Sequence, residues 1–110
     1  MPEIHADVVA QVILLAREAE DSGDPTAQAE LSAFIEGMNE DDAFNLVALA
    51  WIGRESFTAD EFDDAVQTAR DEATTPTQTY LSGMPLLADY LEDGLEAMGI
   101  SASDAEDGVM

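Results

Sequence analysis

Cysteine and lysine are both missing from this chain of 110 residues, and the only fixed cations are Arg17, Arg54 and Arg70. Without cysteine there is no disulfide, no thiolate zinc site and no cysteine nucleophile. Such usage fits a reducing compartment, and a cytoplasmic location is expected. Histidine occurs once, as His5, so a Ser-His-Asp arrangement would have to be built on it, and no GxSxG elbow accompanies it. His5 therefore reads as an exposed histidine near the chain start. No stretch approaches the ~20 apolar residues of a membrane-spanning helix. The first residues lack a basic region and their apolar run, Val8 to Ala16 broken by Gln11, is short, so no signal peptide is expected. Strand-like alternation and internal repeats are absent as well.

Negative charge is what the chain has in excess: 25 Asp and Glu give a net charge of −22. A nucleic-acid duplex or an anionic membrane surface repels such a chain. A basic protein or a cation atmosphere is attracted to it. Area scaling gives roughly 5,900 Å² of folded surface, with about two-thirds of the unfolded chain's surface buried, enough for one domain with an unstapled core. Spread over that surface, neighbouring carboxylates stand about 15 Å apart. The Debye length is ~8 Å at physiological salt and ~30 Å at 0.01 M, so ordinary salt screens most of the mutual repulsion and very low salt does not.

Against this acidic background stands AFNLVALAWIG, from Ala43 to Gly53, in which Asn45 is the one polar residue. Phe44, Val47, Ala48 and Trp51 make one helical face, and Leu46, Leu49, Ala50 and Gly53 make others. A helix apolar all round belongs in the middle of a bundle. Asn39 caps it, and Glu40, Asp41 and Asp42 fill its first turn, where the helix dipole favours anions.

Flanking segments carry stripes and stops that wrap this centre. Ile4, Val8, Val12, Leu15 and Ala19, widened by Val9, Ile13 and Ala16, predict a helix from about Ile4 to Asp21 that ends at Ser22-Gly23. Asp24-Pro25 opens the next, with Leu31, Phe34, Ile35 and Met38 inward. Thr58 and Glu61 form a capping box, with Phe57 and Phe62 at the staple positions, ahead of a helix burying Phe62, Ala65, Val66 and Ala69. The short link from Glu55 to Thr58 makes this helix a packed neighbour of the central one. Thr74-Thr75-Pro76 stops it and caps a short helix contributing Tyr80 and Leu81. Pro85 starts the last helix, with a narrow stripe of Leu87, Tyr90, Leu91, Leu95 and Met98, and Gly99-Ile100 ends it in a Schellman-like stop. The expected fold is all-α: a single-domain bundle of five to six short helices over residues 1–100, around a buried central helix at about 40–54, followed by an acidic flexible tail over 101–110.

Chemistry is harder to find. Asp60 with Asp64, and Asp89 with Asp93, share helix faces at i,i+4, but in so acidic a chain such pairs read as solvated faces. A calcium loop starting at Asp89 fails, because Leu91 stands at a ligand position and Ile100 where the bidentate Glu belongs. Glu-x-x-His pairs for a di-iron bundle do not occur. A helix-turn-helix is disfavoured because its reading helix would begin with Asp60, Glu61, Asp63 and Asp64, which repel phosphate. No cofactor, metal or catalytic residue is therefore expected. Arg17 is expected to pair with Glu20 or Asp21 on its own helix, and Arg70 to sit favourably near a helix C-terminus. Arg54 either binds a carboxylate on another helix, Asp89 being the candidate, or binds a ligand. Trp51, Arg54, Tyr80 and Asp89 together form the candidate partner or structural ion-pair site, with Trp51 and Tyr80 reading first as core residues.

Three blocks carry a resemblance: WIGR at Trp51–Arg54, FTADEF at Phe57–Phe62 and PLLADYLEDGL at Pro85–Leu95. With Pro25-Thr26-Ala27-Gln28 they make about two-thirds of the chain similar to a bacterial family of small uncharacterised helical proteins, domain of unknown function thirty-seven seventy-five. The resemblance implies a helical bacterial protein and carries over no activity, ligand or catalytic residue. Lacking Lys and carrying Thr74-Thr75-Pro76-Thr77, this chain departs from the family pattern, so partner contacts made by basic residues elsewhere in the family do not transfer. The expected function is a small acidic helical protein-interaction module without catalysis, acting on a protein partner or as a homodimer, with neither nucleic acid nor membrane as partner. An acidic nucleic-acid-mimicking decoy for a basic protein is the alternative, and a divalent-cation-binding protein the third reading.

Overall fold

Local capping chemistry sets three of the helix starts. The computed structural model describes residues 5–72 and 76–99, and among these the chain forms six α-helices: α1 Ala6–Ser22, α2 Pro25–Glu36, α3 Glu40–Gly53, α4 Phe62–Asp71, α5 Thr77–Ser82 and α6 Leu87–Ala97. Asp24 accepts from the Thr26 N–H at 2.9 Å and Pro25 takes the first position of α2. Asn39 accepts from the Asp42 N–H at 2.8 Å at the head of α3. Glu61 reaches back to the Thr58 N–H at 2.9 Å in the capping box, and a single 3₁₀ turn, Ala59–Glu61, leads into α4. Ile4, Thr74, Thr75, Ile100 and the acidic segment 101–110 lie outside the described residues.

Helix α3 is the central pillar that its hydropathy predicts. Ala43, Asn45, Ile52 and every residue from Leu46 to Ala50 are buried. Fully burying Leu46 and Leu49 contributes about 1.5–3 kcal/mol each. Helix α6 runs antiparallel against α3 with backbones in contact. A Cβ added to Gly53 would stand 1.8 Å from the Tyr90 carbonyl oxygen, and one added to Gly94 would stand 2.2 Å from that of Leu49. Only glycine permits this approach. Helix α4 packs on α3, α1 pairs with α2 and also touches α6, and α5 closes the bundle against α2.

Several side chains sit differently from the sequence expectation. The buried face of α1 is Val9, Ala10, Val12, Ile13, Ala16 and Ala19, while Val8 and Leu15 are half-buried and Leu14 is 49% exposed. The face is rotated because α6 as well as α2 covers it. The stripe of α6 is broad rather than narrow, since Ala88 and Gly94 are buried among the leucines by the close α3 contact. Pro85 and Leu86 form a turn before α6 instead of its first residues, with Leu86 at φ 62°. Arg17 reaches across to Asp89 (3.6 Å) and Glu92 of α6 rather than to its own helix. Arg70 pairs with Asp41 at the head of α3 and lies over the Phe44 ring, 4.9 Å from its centroid.

Candidate functional site

The four residues singled out in the sequence do not converge on one site. Trp51, three residues before the α3 C-cap, is half-buried and stacks on Phe57 with ring centroids 5.7 Å apart. Its indole N–H donates to the Tyr80 hydroxyl of α5 at 3.0 Å. The ordering of this cluster follows from the end of α3. Ser56 N–H donates to the Trp51 carbonyl (2.9 Å) and Glu55 N–H to that of Ile52 (3.0 Å), a Schellman motif with Glu55 at φ 69° where glycine is usual. That turn swings Phe57 onto the face of Trp51. Arg54, exposed at the C-cap, donates from Nε to the Ser56 hydroxyl at 3.2 Å. Among the described residues it contacts no carboxylate. Asp89, its expected partner, is held by Arg17 of α1 instead, 3.6 Å away. The indole nitrogen and the phenol hydroxyl thus satisfy each other, and the ring stack covers one indole face.

A second feature lies at the opposite end of α3. Between the start of α1, the end of α2 and the head of α3 opens a cleft of about 490 Å³. Its walls are the side chains of Val8, Ala33, Phe34 and Met38, with Gly37 between them, and its polar end is formed by Asn39 and Asp42. Val8, Phe34 and Met38 are half-buried and Ala33 is exposed. His5 closes the rim, its Nδ1 lying 2.7 Å from Asp42 Oδ1, while Asn39 Nδ2 donates to the other Asp42 oxygen at 3.2 Å. Asp7, Glu36 and Glu40 stand exposed next in sequence to Val8, Gly37 and Asn39. The cleft therefore combines an apolar floor with one carboxylate, Asp42, at its polar end, on a strongly acidic chain, a surface suited to an apolar group carrying positive charge at its edges.

Sequence reasoning placed Phe34 and Met38 in the core stripe of α2 and missed the opening. Helical periodicity says which side of α2 faces inward but not how far the neighbouring helix extends to cover it. The only local signal was the small pair Ala33 and Gly37 beside the two large apolar side chains. The leucine face of α6 is closed: Leu87, Leu91 and Leu95 are each at most 1% exposed.

Among the described residues no group of three or more His, Asp or Glu is placed to hold a metal ion, and no helix is long and apolar enough to cross a membrane. Residues 28–100 match the model of a family described as "Protein of unknown function (DUF3775)". That span begins within α2 and takes in α3 to α6, so it includes every wall of the cleft except Val8. No curated protein and no solved structure matches the chain.

Proposed function

The chain belongs to the DUF3775 family, and we propose that it is a small non-catalytic helical module that binds another protein through the cleft between α1, α2 and the head of α3. One observation carries this reading. The fold buries Leu46, Leu49, Phe62, Leu91 and Leu95 to near zero exposure, yet leaves Val8, Phe34 and Met38 partly open side by side around one cleft. An open apolar cleft with a polar rim is the usual anatomy of a protein-docking surface. The Trp51 cluster offers less, because the hydrogen-bonding groups of its indole and phenol are already matched to each other. The decoy reading is weaker too. Glu40, Asp41, Asp42, Asp63 and Asp64 lie in first helical turns, where dipole and capping chemistry account for them.

The test is a display selection of helical peptides against the full-length protein, counter-screened on Ala33→Gln. Ala33 is exposed, so the longer side chain occludes the cleft without disturbing the core, and glutamine is a good helix former. Peptides that lose at least about tenfold in affinity on Ala33→Gln, or 1.4 kcal/mol, are the expected outcome. A selection that enriches nothing, or only sequences indifferent to the substitution, overturns the assignment.

A further inference from the structure

Resting on the reading of the cleft as a protein-docking surface, we infer that its occupant is a basic amphipathic helix of a partner protein, apolar on one face and rich in Lys or Arg on the flanks. Shape is the first argument. Helices α1 and α2 are consecutive and packed together, joined by Gly23 in the left-handed conformation (φ 63°) and the Asp24 cap. Val8 near the start of α1 lies with Phe34 and Met38 at the end of α2, as in an antiparallel hairpin, and the head of α3 forms the cleft's polar end. A furrow between two antiparallel helices takes a third helix by the same ridge-into-groove packing that builds bundles. Phe34 and Met38, four residues apart, present the spacing that an i, i+3, i+4, i+7 stripe meets.

Charge decides the rest. Asp42 stands at the cleft's polar end, and Asp7 and Glu40 are exposed next in sequence to its lining residues Val8 and Asn39, while Glu36, next to Gly37, accepts from Gln78 of α5. His5 is the basic group on this rim, and it is engaged with Asp42. Arg70, the nearest fixed cation along α3, is occupied by Asp41 and Phe44 on the α4 side. An acidic helix would meet Asp42 and the field of a chain of net charge −22, whereas Lys or Arg at the flanks of the helix is attracted by both. Self-occupancy is disfavoured on the same ground. Residues 101–110 carry Asp104, Glu106 and Asp107 and no base, and a second copy brings a net charge of −22.

Titration of the isotope-labelled full-length protein with synthetic peptides tests this. Three peptides of about 18 residues, or ~27 Å as helices, share one Leu stripe pattern or composition: a Leu/Lys amphipathic helix, its scrambled isomer of equal charge, and a Leu/Gln helix with the same stripe. The Leu/Lys helix is expected to bind at least about tenfold tighter than either other peptide at 0.15 M salt. It should shift the Val8, Phe34 and Met38 signals and lose that advantage on Ala33→Gln. Equal binding by the scrambled isomer would reduce the effect to charge adsorption and overturn the inference. Equal binding of the Leu/Gln helix at the same signals would overturn the basic partner while leaving the docking cleft standing. Failure of all three to move those signals would overturn both. Concentration-dependent shifts of the same signals without peptide would identify a second copy as occupant. Nuclear Overhauser contacts from Phe34 or Met38 to Val109 or Met110 would identify the chain's own segment. Either result would likewise overturn the inference.

Discussion

Glu55 and Leu86 both hold backbone angles in the left-handed region, at φ 69° and φ 62°, where an L side chain costs roughly 1–2 kcal/mol. Glu55 takes the left-handed position of the Schellman turn that ends α3, and its side chain is exposed. Glycine at this site removes the strain but gains freedom in the unfolded chain, worth about 0.4–1 kcal/mol in the other direction. Glu55→Gly is therefore expected to raise stability by about 0.5–1 kcal/mol, read as a higher urea midpoint at unchanged slope. An unaltered or lower midpoint would mean that the Glu55 side chain compensates for its backbone. Leu86, 52% exposed in the turn before α6, has no comparable explanation in its contacts. Neither residue type announces a left-handed angle, so neither position was legible in the sequence. Asp24, Asn39 and Glu61 were legible, because a cap needs only residues within three positions of one another.

Among the elements, the antiparallel pair α3 and α6 rests on two glycines that place backbone against backbone. Gly94→Ala would drive a Cβ into the Leu49 carbonyl, and the two helices must separate to make room. A loss of about 3 kcal/mol or more is expected, against a change within about 1 kcal/mol for Gly83→Ala, whose added Cβ would meet nothing nearer than 3.4 Å. Calorimetry of the two variants checks the contrast, and similar melting temperatures would show that α6 rides over α3 with slack. The existence and direction of α3 could be read from its apolar residues because they surround the whole helix. Its alignment with α6 could not, since a glycine in a stripe looks the same whether it meets solvent or a carbonyl. Arginine pairing was illegible for a related reason. With acids on every helix except α5, Arg17 and Arg54 have many equivalent partners in sequence, and only the packing of α1 on α6 selects Asp89 and Glu92 for Arg17.

For the whole molecule the governing quantity is the acidic surface. The accessible area is 6058 Å², so the carboxylate spacing of about 15 Å inferred from chain size holds. The observed ion pairs are exposed and contribute at most about 1 kcal/mol each, too little to offset the field of −22 at low ionic strength. The melting temperature is expected to climb steeply between about 10 and 100 mM NaCl and to flatten beyond, as the Debye length falls below the spacing between acids. A curve flat from 10 mM upward would show that the carboxylates barely sense one another. That the bundle would be helical and centred on α3 was plain from hydropathy. That its apolar surface would remain open at one end, beside His5 and Asp42, depended on the relative lengths and offsets of α1 and α2, which hydropathy does not encode.

The contact between Leu49 and Gly94 spans 45 residues of chain. At a translation rate of roughly 5–20 residues per second, α3 leaves the ribosome some 2–9 s before the segment that completes its shielding. During that interval the most water-averse stretch of the protein has only its earlier-made neighbours for cover. A nascent chain arrested between α3 and α6 would be a good client for a trigger-type holdase, and release of the chaperone should coincide with the emergence of Leu95.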